Sequence, residues 1–172
     1  MPVDPPLGPI LTAAAEFWSR TGQTHWLPVA GSSMAPFLTA GDQVLVAHQP
    51  GALRRGDVVV IRQNERLIVH RVLVPARPGD SLATLTQGDH NRQPDALVAG
   101  SLLLGRVCAV RRRGRAHSIE SAGWRAVGSL IASAQMVLNP LSSASGVAAY
   151  PKRLAAGAGW RLLALFRAIT LG

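Results

Sequence analysis

Gly31-Ser32-Ser33-Met34-Ala35-Pro36 is the stretch that decides how this sequence is interpreted. It lies a few residues before an apolar strand pattern, Gln43 to Ala47. Two later segments hold the residue types that complete its chemistry, Ile68-Val69-His70-Arg71-Val72 and Gly88-Asp89-His90-Asn91-Arg92-Gln93-Pro94-Asp95. A serine hydroxyl becomes a useful nucleophile only when a positioned base accepts its proton, and a third group usually orients that base. The three segments therefore predict a catalytic site of the serine type.

Short apolar runs follow the serine stretch, and Gly-Asp dipeptides separate several of them. Glycine and aspartate are typical of turns, and Asn64-Glu65 has the polarity of a hairpin turn. No helical pattern interrupts the runs, so the sequence predicts a mainly β fold, a coiled antiparallel sheet or open barrel. The predicted strands are Gln43 to Ala47, Val58 to Arg62, Leu67 to Val74, Leu82 to Thr86 and Leu102 to Arg111.

Helical patterns flank this β region. Residues 10 to 20 repeat apolar side chains at helical spacing, and Gly22 is expected to end that helix. Residues 118 to 138 also look helical, 139 to 149 form a Ser/Ala/Gly linker, and 151 to 171 predict an apolar, basic helix. We therefore expect an N-terminal tail and short helix over 1–25, a catalytic β domain over 26–117, and a helical C-terminal extension over 118–172.

The chain is strongly basic, with 18 basic and 9 acidic residues and a net charge of +9. Such a charge favours anionic partners, although an inert basic surface is an equally good interpretation. The single cysteine, Cys108, excludes an internal disulfide and any CxxC metal site. No stretch has the pattern of a plain transmembrane helix, and the first residues lack the basic region of a secretory signal.

The serine, histidine and aspartate motifs together resemble the signal peptidase superfamily of serine proteases over residues 27 to 110. The resemblance is to the serine–histidine branch, of the endoplasmic-reticulum and sporulation type, and the fold is related to that of repressor-type self-cleaving peptidases. It implies that Ser33 is the nucleophile and that His70, in Val-His-Arg-Val, is the base. The only lysine, Lys152, lies far away in the C-terminal segment.

The match to the family motif differs at two positions before the nucleophile. Ser32 stands where the family usually has glycine, and Gly31 where many members have serine. The oxyanion donors are therefore open: the Ser33 N–H is one candidate, and Ser32 is a supporting candidate for the second. By the resemblance Asp95 orients His70. Asp89 is a supporting residue, which either stabilises the turn or the surroundings of Ser33, or orients His70 in place of Asp95.

The resemblance predicts a serine endopeptidase that removes a leader or signal peptide after small side chains, with no cofactor and no metal. The alternatives are a catalytically idle peptide- or membrane-binding scaffold of the same fold, and a self-cleaving repressor-like peptidase. The latter needs a lysine base and usually a DNA-binding domain.

The expected partners are a peptide or precursor-protein substrate and, through the C-terminal helix, an anionic membrane surface or a partner protein. Peripheral membrane association is the expected location, on a side the sequence does not define, with a soluble cytoplasmic enzyme as the alternative. Nucleic acid is not favoured, because no DNA- or RNA-binding motif accompanies the basic run Arg111-Arg112-Arg113-Gly114-Arg115.

Overall fold

The computed structural model describes residues 7–48, 51–63, 66–76 and 84–138. Within them, a helix precedes seven strands and a second helix follows them. A short 3-10 turn at Gly100–Leu102 leads into the sixth strand. The elements are α1 (Leu7–Thr21), β1 (Thr24–Pro28), β2 (Gln43–Ala47), β3 (Val58–Gln63), β4 (Arg66–Val74), β5 (Leu85–Gln87), β6 (Leu103–Arg112), β7 (Arg115–Ser118) and α2 (Ala122–Leu138).

The seven strands form one antiparallel sheet in the order β1-β2-β6-β3-β4-β5, with β7 paired to β6. The sheet is not closed, so the predicted mainly β fold with helical additions is confirmed, in its open form. Gln63 pairs with Arg66, and the chain therefore reverses at the predicted hairpin between β3 and β4. Gly22 has φ 69°, and its N–H donates to the Trp18 carbonyl at the end of α1, as expected of a glycine that ends a helix.

Two apolar clusters lie on opposite faces of the sheet. Successive side chains of a strand point to opposite faces, so Val58 and Val60 enter one cluster while Val59 and Ile61 enter the other. The larger cluster also contains residues of β1, β2, β6 and the serine stretch. Its buried members are Ala15, Leu27, Val29, Met34, Phe37, Leu38, Val44, Val46, Val58, Val60, Leu104, Val107 and Val110.

The same alternation in β4 sends neighbouring polar residues to different faces. His70 pairs with Val59 and lies on the face of the smaller cluster, together with Val72. Arg71 pairs with Val58 and lies on the face of the larger cluster, over the Phe37 ring. Both side chains are buried, so β4 carries one buried basic group on each side of the sheet.

Two strands were not predicted, and part of the prediction cannot be compared. The unpredicted strands β1 and β7 flank the region where strands were expected, and β7 ends at Ser118, the residue with which the second helix was expected to begin. Leu82, the linker and the C-terminal helix predicted over 151–171 lie outside the described residues. Among the residues that are described, no helix is both long and apolar enough to cross a membrane.

Candidate active site

The serine stretch is a turn that its own apolar side chains fix to the core. Residues 33–37 form the turn, with a cis peptide bond between Ala35 and Pro36. Met34 and Phe37 are buried in the larger cluster, and the N–H of Leu38 donates to the Met34 carbonyl at 2.9 Å. Ser33 itself is only partly buried. The motif thus anchors its apolar residues inward and leaves the serine hydroxyl at the surface of the sheet.

Ser33, His70 and Asp95 form a continuous hydrogen-bonded chain. The Ser33 Oγ lies 3.2 Å from His70 Nε2, and His70 Nδ1 lies 2.5 Å from Asp95 Oδ2. With the proton on Nδ1, the ring donates to the carboxylate and leaves Nε2 free to accept the serine proton. The Thr86 hydroxyl also donates to Asp95 Oδ2 at 2.7 Å. These contacts hold the imidazole from both ends in the orientation that a general base needs.

Asp95 reaches this position because its backbone follows the edge of β5. The Asp95 N–H donates to the Thr86 carbonyl at 2.8 Å, and Thr84 forms an antiparallel bridge with Val98. Thr86 pairs with Val72 across β5 and β4, on the same face as His70. Backbone hydrogen bonds therefore fix the segment that carries Asp95 to the sheet, independently of the contact between its carboxylate and His70.

Gly88 lies directly behind the serine and the histidine. A Cβ at this position would be 2.6 Å from the Ser33 carbonyl oxygen and 2.9 Å from His70 Nε2. His90, two residues later in the same turn, donates its N–H to the same Ser33 carbonyl at 2.8 Å. Only glycine fits this close approach, so the Gly88-Asp89 turn sets the spacing between the nucleophile and its base.

Asp89 contacts Arg71 on the opposite face of the sheet. Its carboxylate accepts hydrogen bonds from Arg71 Nε at 2.8 Å and from Nη2 at 2.6 Å, and Arg71 Nη1 donates to the Gly56 carbonyl at 2.9 Å. Of the two aspartates considered from the sequence, the structure thus brings Asp95 to the histidine and Asp89 to a buried arginine. Asp89 holds the Gly88-Asp89 turn against β4 from behind.

A second buried ion pair fixes the far end of the serine loop. Arg112 donates from Nε to Asp42 Oδ1 at 2.8 Å and from Nη2 to the Phe37 carbonyl at 3.0 Å. Burial alone would raise the pKa of the Asp42 carboxyl, but the hydrogen bonds from Arg112 and Thr39 together with the arginine charge hold that pKa below its usual value. The loop between β1 and β2 is thus tied to the end of β6.

Part of the chain matches a known peptidase family. Residues 7–83 match the model of a peptidase family described as Peptidase S24-like. The chain contains a peptidase S24-like region. This confirms the predicted superfamily of signal peptidase-type and repressor-type serine peptidases, and it indicates a hydrolase of the peptidase class. No curated protein matches the chain.

The S24-like region contains Ser33 and His70 but ends before both aspartates. The family match therefore does not bear on Asp95, and it is the contacts of this structure that bring Asp95 to His70. Sequence reasoning missed the contact of Thr86 with Asp95 and the partner of Asp89. Thr86 was expected only as the last residue of a strand. Ser32 is exposed beside Ser33, and Lys152 lies outside the described residues.

The part of the chain that the structure describes contains no group of side chains that could hold a metal ion. No three side chains among its His, Cys, Asp and Glu residues come close enough to hold a metal ion. Cys108 is buried, and its thiol lies 3.4 Å from the Leu45 carbonyl. Burial raises the pKa of this thiol, which makes it a poor nucleophile. The serine–histidine pair is the arrangement here that has the geometry of a covalent catalyst.

Proposed function

We propose that the protein is a serine endopeptidase of the signal-peptidase type, which removes a leader or signal peptide by cleaving after small side chains. The observation that carries the proposal is the hydrogen-bonded chain from Ser33 through His70 to Asp95. The S24-like match supports a peptidase, and the histidine in β4 supports the serine–histidine branch.

The reaction requires two proton transfers through His70. The Ser33 oxygen attacks the scissile carbonyl while its proton passes to Nε2, and His70 then protonates the leaving amine as the peptide C–N bond breaks. Water next attacks the resulting ester and gives a proton to Nε2; the ester C–O bond then breaks while His70 returns that proton to the Ser33 oxygen, which releases the acid and restores the serine hydroxyl. Asp95 stabilises the imidazolium in both steps. We propose the Ser33 N–H and Ser32 as the donors to the oxyanion.

An extended peptide would bind beside an open strand of the sheet. The strand order ends at β1 and β5, and the segment of Asp95 and Val98 already covers β5. Among the described residues, no strand pairs with the outer edge of β1, which leads directly into the serine turn. We therefore propose β1, Thr24–Pro28, as the edge that takes the substrate.

A serine-reactive acylating probe, such as a fluorophosphonate, tests the proposed chemistry. We expect the full chain to label at Ser33, with labelling lost in Ser33→Ala and in His70→Ala because the two groups act in one step. Ser101→Ala, an exposed serine of the 3-10 turn, is the matched control and should label normally. Labelling that persists in His70→Ala at more than about a tenth of the wild-type rate, with an unchanged melting curve, would rule out the histidine base.

The S24-like match also favours a second candidate, cleavage of the protein's own chain. Intact-mass measurement of the purified protein over time tests this. A cleaved product that forms at a rate independent of protein concentration and is absent in Ser33→Ala supports self-cleavage. An intact chain that still labels with the probe supports cleavage of another polypeptide.

We further propose that residues 151–171 attach the enzyme peripherally to an anionic membrane. This segment contains apolar bulk, the basic residues Lys152, Arg153, Arg161 and Arg167, and no acidic residue. Each basic side chain near an anionic surface contributes about 1 kcal/mol, whereas arginine in the hydrocarbon costs about 3 kcal/mol or more. Sedimentation with anionic liposomes should show salt-sensitive binding that a chain ending at residue 149 lacks. Absence of binding by the full chain at low salt would instead support a soluble enzyme.

A further inference from the structure

The helix α2 lies outside the S24-like region and packs against the back of the catalytic strand β4. Its buried residues are Gly128, Ala132 and Gln135, whose spacing of four and three places them on one face of a helix. The opposite side of α2 exposes Leu130 and Val137. One polar side chain, that of Gln135, is therefore directed into the protein from an otherwise small and apolar buried face.

A contact between two glycines sets how close α2 comes to the sheet. A Cβ on Gly128 would be 2.7 Å from the Gly56 carbonyl oxygen and 3.2 Å from Arg71 Nη1. Arg71 Nη1 itself donates to that Gly56 carbonyl, and its other nitrogens hold Asp89. The helix thus rests directly on the group that holds the Gly88-Asp89 turn.

Gln135 contacts that turn itself. Its Nε2 donates to the Gly88 carbonyl at 3.4 Å, a long hydrogen bond, and this carbonyl also accepts the Asn91 N–H at 2.9 Å. On the other side of the turn, Gln87 Nε2 donates to the Asn91 carbonyl at 2.7 Å. The turn that begins at Gly88 and ends at Asn91 is therefore held by two buried glutamine side chains.

Burying the polar Gln135 side chain costs free energy, which indicates that its hydrogen bond to Gly88 does more than fill space in the core. Its Oε1 is buried without a hydrogen-bond partner among the described residues. A buried acceptor without a partner destabilises the folded state, and an apolar side chain of the same shape would pack without that penalty. The contact that glutamine provides and an apolar residue does not is the hydrogen bond to Gly88.

We propose that Gln135 is a positioning residue of the active site, which fixes the Gly88 carbonyl and thereby the distance between Ser33 and His70. In this arrangement α2 is part of the catalytic unit. The proposal rests on the proposed peptidase function for its kinetic effect, while its structural effect on His70 is measurable without turnover.

The substitution Gln135→Met tests the proposal, because methionine keeps the length and volume and lacks the donor. We expect the maximal labelling rate of Ser33 by a fluorophosphonate to fall about three- to tenfold, with the half-saturating probe concentration unchanged. We expect the melting temperature to stay the same or rise. Val137→Met, on the exposed side of the same helix, is the matched control and should keep the wild-type rate.

Proton NMR supplies the second readout. The proton between His70 Nδ1 and Asp95 should give a downfield resonance whose position shifts in Gln135→Met and not in Val137→Met. An unchanged labelling rate together with an unchanged resonance would overturn the role of Gln135. A wild-type protein that fails to label contradicts the proposed function instead, and the resonance still decides whether Gln135 positions the histidine.

Discussion

Replacing Asp89 by asparagine removes the negative charge from an ion pair that has almost no contact with solvent. Arg71 is 3% and Asp89 0% exposed, and two hydrogen bonds of 2.8 and 2.6 Å join them. Asparagine keeps the shape and one acceptor oxygen, but its NH₂ group faces an N–H of the guanidinium. The variant therefore leaves a buried positive charge without a counter-charge.

The size of the effect follows from this burial. Breaking a buried pair by removing one partner costs about 3–5 kcal/mol. For a chain of this length, each kcal/mol lowers the melting temperature by about 2–4 °C. We therefore expect Asp89→Asn to melt about 6–20 °C below the wild type.

Thermal unfolding followed by circular dichroism at neutral pH measures this difference. The matched control is Glu120→Gln, which breaks the pair with Arg106, where the two side chains are 40% and 23% exposed. Such a pair contributes at most about 1 kcal/mol. Equal melting shifts in the two variants would refute the idea that the Arg71–Asp89 pair holds the turn from within the core.

Three further expectations concern the site and its surroundings. Asp95→Asn should lower the Ser33 labelling rate by a factor of about 10³ or more, with little change in melting temperature, because the tautomer of His70 is lost; comparable rates in Asp95→Asn and Asp89→Asn would contradict this. Gly88→Ala should lower the rate and the stability together, since its Cβ would meet the Ser33 carbonyl and His70 Nε2; a wild-type rate would contradict it. Burial lowers the pKa of His48 below 6.5; the hydrogen bond to the Leu104 carbonyl opposes this shift, and the charge of His25 adds to it. As the pH falls from about 7.5 to 5.5, the unfolded chain therefore binds a proton at this position more readily than the folded chain does. The free energy of unfolding should decrease over that range. His48→Gln should reduce that decrease, and an identical pH dependence in this variant would show that His48 is not its source.

The central strands were predictable because their apolar residues follow local rules. β2 matches its predicted bounds, β3 and β4 differ from theirs by one residue at one end, and β6 is shifted by one residue at both ends. β1 and β7 were missed for a physical reason: each contributes few buried residues, and β1 ends in proline. Leu27 is the one fully buried side chain of β1. These strands are defined by hydrogen bonds to β2 and β6, and such pairing leaves no pattern in the strand's own sequence.

The reactive residues of the site were predictable, while the groups that hold them were not. Ser33, His70 and Asp95 were identified from short motifs with a resemblance to known peptidases. The pair of Arg71 with Asp89 and the contact of Gln135 with Gly88 join residues 18 and 47 positions apart. Nothing in the local sequence indicates such a pairing, because it depends on how α2 and the Gly88-Asp89 turn meet across β4.

His70 and Arg71 are neighbours in β4, so both the active site and the buried ion pair depend on how this strand is aligned in the sheet. A slip of β4 by a single residue would exchange the faces of His70 and Arg71. A guanidinium, which stays protonated, would then face the serine hydroxyl and could not accept its proton. On the other side, Asp89 would lose its bidentate partner. A misaligned chain would thus be both inactive and less stable, so a labelled Ser33 also reports that the hairpin of β3 and β4 has folded in its correct alignment.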